Sequence, residues 1–128
     1  MIHKNDFVMR QIRDMVRMLA KIVLGRDTIE YEDNEDMKFS EMSHIYTDLI
    51  RMVDEGKINE AENLLFDEIN KDENKSFEMA LRFYDYLNSL SDVYLEENNY
   101  SREEVKEGVQ NLADSRGLGM LGKDLREF

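Results

Sequence analysis

Glu41 and His44 stand three positions apart, a spacing that places two metal ligands on one face of a helix. A di-iron carboxylate site needs two such pairs and two further glutamates, whereas the only other histidine of the chain is His3. Cysteine is absent, which excludes disulfides, thiolate metal sites and a cysteine nucleophile. We therefore interpret the pair as a surface glutamate beside a partly exposed histidine, and we predict no metal and no cofactor.

Two further segments have part of the pattern of a ligand-binding motif. The acidic stretch 27–36 offers carboxylates for calcium, but no register supplies the glycine that an EF-hand loop needs at its sixth position. Segment 117–122 has the Gly-x-Gly-x-x-Gly spacing of a dinucleotide-binding turn, but a helical pattern precedes it where that mechanism needs a strand. Because neither histidine has the sequence context of a tuned base, we do not expect an enzyme.

Four basic residues at helical spacing form the candidate partner-binding site. This basic row consists of Arg10, Arg13, Arg17 and Lys21. It lies opposite an apolar face made by Val8, Ile12, Met15, Val16, Leu19, Ile22 and Val23. Such cations can contact a protein partner, phosphates or an anionic membrane surface. In the alternative interpretation, they are solvated or paired with acidic residues of the same chain.

Charge is distributed unevenly along the 128 residues. The formal net charge is −12, yet residues 1–26 hold six Lys and Arg against two acids, a net of +4 that leaves −16 for residues 27–128. An acidic molecule disfavours non-specific binding to nucleic acid. We therefore predict an unidentified protein partner, or a homodimer through the N-terminal helix. Binding of nucleic acid or an anionic surface through the basic row is the alternative.

Cap and turn residues divide the chain into five predicted helices, and therefore an all-α fold. The predicted helices lie near 6–24, 40–55, 59–69, 75–96 and 101–115. The predicted caps are Asn5 or Asp6 and Gly25 for the first helix, Asn59 with Glu62 for the third, and Ser101 with Glu104 for the fifth. The fourth helix is the most apolar and is expected at the centre. Its predicted polar strip comprises Glu78, Arg82, Asp85, Ser89 and Asp92.

We predict a single helical domain in four parts. They are a basic amphipathic helix (1–26), an acidic linker (27–36), two helical hairpins (37–115) and a Gly-rich mobile tail (116–128). No apolar run reaches the 18 or more residues of a transmembrane span, and the N-terminus lacks the apolar core of a secretion signal. We therefore expect a cytoplasmic protein.

The stretch 54–62 resembles the hairpin turn of a tetratricopeptide repeat. Gly56 stands at the turn, Ala61 where two helices approach closely, and Leu65 where the repeat has a large apolar residue. Glu73 stands where the closing proline would be expected, and the second hairpin follows at a different spacing from the repeat period of 34. The resemblance implies tetratricopeptide-like hairpins rather than a true array.

Three segments, 7–12, 56–66 and 83–104, carry a resemblance that spans most of the chain. Through them the chain resembles a family of short proteins from Gram-positive bacteria, classed as a domain of unknown function. The resemblance supports the helical fold and implies no activity.

Overall fold

The computed structural model of the protein describes residues 4–25, 41–68 and 73–118. These ranges contain helices joined by turns and no β-strand, which confirms the predicted all-α fold. The helices are α1 (Lys4–Leu19), α2 (Glu41–Asp54), α3 (Ile58–Glu68), α4 (Glu73–Ser89), α5 (Asp92–Glu97) and α6 (Arg102–Ser115), and a π-helical turn (Ala20–Leu24) continues α1. The predicted acidic linker, the predicted start of the second helix and residues 119–128 of the predicted tail lie outside the described residues.

Helix α1 is amphipathic as predicted, but it begins earlier than its predicted cap. Asn5 and Asp6 lie inside the helix, because no glycine or proline stops it from extending towards Lys4. The predicted C-terminal cap is confirmed: Gly25 has φ 71°, and its N–H donates to the carbonyls of Ala20 and Lys21. The predicted apolar residues from Val8 to Leu19 are buried in the core.

Helices α2 and α3 form a hairpin around Gly56, as predicted. Gly56 has φ 83°, and a Cβ atom there would lie 2.5 Å from Oδ1 of Asn98. Helix α3 begins at Ile58, so the predicted capping box of Asn59 and Glu62 is wrong. Ile58 is fully buried, and the carbonyl of Lys57 accepts the N–H of Ala61 at 3.0 Å, which moves the helix start ahead of Asn59.

Helix α4 is the central element of the fold, and it packs against α1, α2, α6 and the π-helical turn. Every residue from 76 to 84 is buried. The predicted polar strip is therefore wrong at Glu78 and Arg82: they lie inside the structure as an ion pair of 2.9 Å. Pairing at a spacing of four residues lets both charged groups leave water together.

The predicted fourth helix, 75–96, is two helices in the structure. Helix α4 ends at Ser89, and α5 begins at Asp92 after the extended residue Ser91, whose side chain accepts the N–H of Tyr94 at 3.1 Å. No glycine or proline stands at this break. Its cause is a contact from α6, described below.

Helix α6 packs against both α1 and α4. Ser101 caps its start as predicted by accepting the N–H of Glu104 at 3.2 Å. The predicted inward residues Val105, Val109 and Leu112 are buried. After the helix, Leu118 packs partly buried against the core. None of the described helices is both long and apolar enough to span a membrane.

Candidate functional site: the basic row of α1

The structure places all four residues of the basic row on the exposed side of α1 and its π-helical turn. They keep this position because the opposite side of α1 is held in the core between α4 and α6. Four cations therefore lie side by side along about three turns of one helix.

Two polar contacts fix how α1 is rotated about its axis. On the α4 side, Nδ2 of the buried Asn88 donates to the carbonyl of Met9 at 3.0 Å. On the α6 side, Nζ of Lys106 donates to Oε1 of Gln11 at 3.1 Å. One contact comes from α4 and the other from α6, so the side of α1 between these two helices is buried. The basic row lies on the opposite side and is exposed.

Two cations of the row act on an acid of the same chain. Asp85 of α4 is half-buried, and burial raises the pKa of its carboxyl, whereas the nearby guanidinium groups of Arg13 and Arg17 lower it. Arg13 and Arg17 thus favour the charged form of Asp85.

Apolar side chains flank the row at both ends. Phe7 is 52% exposed and Ile22 is 50% exposed, and Met18 between them is partly exposed. The prediction that Ile22 lies on the buried face is wrong. A π-helical turn has more residues per turn than an α-helix, so it displaces Ile22 from the face that α-helical spacing predicts.

A buried polar cluster joins α3 to α4 and to the turn before α6. Glu62 accepts hydrogen bonds from the hydroxyl groups of Tyr84, at 2.6 Å, and Tyr100, at 2.9 Å. Burial raises the pKa of both hydroxyls, and the negative charge of Glu62 raises it further. Both tyrosines are buried and bonded within the chain, so we assign the cluster a structural role.

A second buried polar cluster surrounds Arg102 and explains the break between α4 and α5. Its Nη1 donates to the carbonyl of Asn88 at 2.7 Å, and its Nη2 donates to the carbonyl of Leu90 at 2.6 Å. Nη2 also lies 2.8 Å from Oδ1 of Asp92. One side chain thereby satisfies carbonyls that the end of α4 leaves without helical partners.

Sequence reasoning missed both clusters, and only one clue to them was available. The residues of each cluster come from separate elements, so no spacing along the chain reveals them. The clue was Gly108, which lowers helix propensity inside an otherwise regular helix. A Cβ atom at Gly108 would lie 2.2 Å from the ring of Tyr84, so the glycine marks the place where α6 approaches that tyrosine.

Glu41 and His44, the pair with metal-ligand spacing, lie on α2. His44 is exposed on α2, and the side chain of Glu41 lies outside the described set. Within residues 4–25, 41–68 and 73–118, no group of three or more His, Asp or Glu could hold a metal ion.

Comparison with known proteins places the whole described fold in one family. A family model matches residues 2–117, a range that includes every described helix. The chain belongs to the family of unknown function DUF6483. No curated protein and no solved structure matches the chain. Membership of DUF6483 therefore supplies no activity, and a function must be argued from the site itself.

Proposed function

We propose that this DUF6483 protein is a non-catalytic protein–protein interaction module that binds its partner through the basic row of α1. The observation that carries the proposal is the arrangement of α1, whose apolar side is buried while all four cations of the row are exposed. A helix held in this way presents charge on a rigid support, so a partner does not have to order it.

Two further observations support an interaction module. The polar clusters around Glu62 and Arg102 are occupied by bonds within the chain, so their roles are explained by folding. The hairpin of α2 and α3 has a turn glycine with positive φ and a fully buried Ala61, as in the tetratricopeptide hairpins that bind other proteins. We propose that this hairpin supports α1 rather than providing the binding surface.

Site-specific crosslinking tests the proposal. Asp14 is exposed on α1 next to Arg13 of the basic row, and Asn63 is exposed on α3, so a photo-crosslinking amino acid can replace either one. We expect position 14 to capture a defined protein from native extract and position 63 to capture none. Reversal of three charges, in Arg10→Glu/Arg17→Glu/Lys21→Glu, should abolish the capture. Equal capture from both positions would contradict the proposal.

The same row supports the alternative function, in which the ligand is nucleic acid or an anionic surface. Exposed cations at these spacings suit phosphate groups, and binding would weaken steeply as salt is added. The net charge of −16 on the rest of the chain opposes an extended polyanion. Retardation of nucleic acid at low ionic strength, lost in the charge-reversed variant, would favour this alternative.

A homodimer through α1 is a second form of the interaction proposal. The mass of the purified protein, followed by light scattering over a range of concentrations, tests it. A mass that doubles with concentration in the wild type, but not in the charge-reversed variant, would identify a second copy as the partner.

A further inference from the structure

Resting on the proposed function, we infer that the partner presents an acidic amphipathic helix, with carboxylates that pair with the basic row and apolar side chains that cover Phe7 and Ile22. The basic row identifies the charge of the partner. The exposed apolar residues at its ends identify the class of macromolecule.

The spacing of these residues sets the length of the partner segment. Phe7 and Ile22 are fifteen positions apart, which corresponds to about 22 Å along a helix. A partner helix of roughly four turns spans that distance. Its central turns would lie over the cations, and its two ends would lie over the half-exposed Phe7 and Ile22.

Apolar residues at the ends of the row favour a protein segment over a phosphate backbone. Phosphates can pair with Arg10 and Lys21, but they offer no apolar surface for a phenylalanine or an isoleucine. A narrow acidic helix also contacts α1 alone, whereas a duplex or a membrane would approach the acidic remainder of the chain. The charge of the basic row and the apolar surface at its ends therefore both favour an acidic amphipathic helix.

Asp85 is an acid of the same chain that interacts electrostatically with two cations of the basic row. Asn88 is bonded to the carbonyl of Met9 at 3.0 Å, so Asp85, about one turn back along α4, stands beside Arg13, about one turn further along α1. The electrostatic effect of Arg13 and Arg17 on the Asp85 carboxyl agrees with this placement. In this proposal the charge of Asp85 weakens the attraction of Arg13 and Arg17 for an acidic partner.

Synthetic peptides test the inference directly on the full-length protein. One labelled peptide is an amphipathic helix with glutamates along one side and two leucines positioned for Phe7 and Ile22. Its matched control has the same glutamates, with serines in place of the leucines. Fluorescence anisotropy should show the leucine peptide binding at least about tenfold more tightly, because it alone covers the apolar surface of Phe7 and Ile22.

Three variants separate the contributions of the residues. Phe7→Ser/Ile22→Ser should remove the preference for leucine while keeping the weak binding of the serine peptide. Asp85→Asn should tighten the binding of both peptides about two- to fivefold, since it removes an internal competitor. Val93→Ser is the matched control, because Val93 is 63% exposed but belongs to α5, and it should change neither affinity. Urea unfolding of each variant checks that the fold is retained.

Equal affinity for the two peptides, or binding of neither, would overturn the inference. Tighter binding of a DNA oligonucleotide or of phosphatidylglycerol vesicles at the same ionic strength would overturn it as well. Crosslinking through position 14 would still support the proposed function in these cases, so the two claims fail separately. A preference for the leucine peptide that Phe7→Ser/Ile22→Ser removes would support the inference.

Discussion

Glu62 shows how much of this fold depends on single polar side chains. Its carboxylate lies between two phenol hydroxyls, and Tyr84 and Tyr100 are both buried. If either hydroxyl lost its proton, a second negative charge would be created beside Glu62 in a buried position. The cluster is therefore stable only while both tyrosines are protonated.

We predict that the protein loses stability in alkaline solution above pH 10. In the unfolded chain tyrosine has a pKa near 10, whereas burial raises the pKa of Tyr84 and Tyr100 in the folded chain. Above pH 10 the folded state binds more protons than the unfolded state. The free energy of unfolding should then fall by about 1.4 kcal/mol per pH unit for each of the two hydroxyls.

Urea unfolding between pH 8 and about pH 12 measures this loss. Tyr86 adds to it between pH 10 and 12, because its hydrogen bond to Asp54 raises its pKa to about 12. In Tyr100→Phe the free energy of unfolding should fall less steeply above pH 10, by about 1.4 kcal/mol per pH unit. A slope equal to that of the wild type would show that Tyr100 is not protected in the folded chain.

Glu62 also shows that the sequence predicts the local partners of a residue but not its partners from distant segments. The spacing of Asn59 and Glu62 predicted a cap, because local patterns reveal only local partners. In the structure Asn59 donates to the carbonyl of Asn99, 40 positions away. Glu62 accepts from Tyr84 and Tyr100, which lie 22 and 38 positions away. Ser101 was predicted correctly because its partner, the N–H of Glu104, is local.

Arg102 binds the segment that separates α4 from α5. Apolar spacing continues from α4 into α5, and the local determinant of the break is Ser91, which caps α5. The guanidinium group binds the carbonyls of Asn88 and Leu90, which an uninterrupted helix would use internally. The break thus combines a local cap with a tertiary contact, and apolar periodicity alone predicted one helix instead of two.

We predict that Arg102→Met destabilises the protein by about 2–4 kcal/mol, because it removes charge-assisted hydrogen bonds and leaves buried carbonyls without donors. Arg102→Lys should be intermediate, since an ammonium group cannot form the same fork. Arg116→Met at the end of α6 is the control, because its guanidinium lies over the ring of Phe77, 4.8 Å from the ring centroid, and it is less buried than that of Arg102. Chemical unfolding gives all three values, and equal losses at 102 and 116 would contradict the prediction.

The contact of α4 with α6 predicts that replacing a glycine inside a helix by alanine lowers the stability of the protein. Alanine is about 1 kcal/mol better than glycine inside a helix, so propensity alone favours Gly108→Ala. The added Cβ atom would, however, lie 2.2 Å from the ring of the fully buried Tyr84. We expect a net loss of about 1–3 kcal/mol from overpacking.

Asn111→Ala on the exposed side of α6 is the matched control for Gly108→Ala. It should change the free energy of unfolding by less than about 0.5 kcal/mol. If Gly108→Ala proved more stable than the wild type, α6 would have to lie further from α4 than the structure shows.

At the scale of the whole molecule, α1 is a structural part of the core. Of the 25 buried hydrophobic residues in the described ranges, six come from α1 and its π-helical turn: Val8, Ile12, Met15, Val16, Leu19 and Ala20. They fill the space between α4 and α6. The helix is therefore integral to the domain and not an appendage to the hairpins.

We predict that a fragment of residues 27–128 does not fold cooperatively. It would expose the apolar sides of α4 and α6 that α1 covers, and a domain with a stability of only 5–15 kcal/mol cannot lose a quarter of its core. Near-ultraviolet circular dichroism and dye binding should show a loosely packed state. The charge-reversed full-length variant is the control and should unfold cooperatively, because its changes are all exposed.

Composition and periodicity were sufficient to predict the fold class, the amphipathic α1 and the hairpin at Gly56. These features depend on apolar spacing and turn chemistry, which are local. The position of the basic row on the surface follows from the same spacing. Its relation to Asp85 does not, because it depends on how α1 and α4 pack together.

Helix α1 contributes both to the core and to the proposed binding surface, so binding of a ligand is coupled to folding. The four cations form a row only while α1 is held as a helix by α4 and α6, so a ligand of the row binds the native chain in preference to the unfolded one. Its binding free energy is then added to the stability of the entire domain. A ligand at a hundredfold excess over its Kd would contribute about 2.7 kcal/mol. The melting temperature of the protein can thus report a partner before any activity is known.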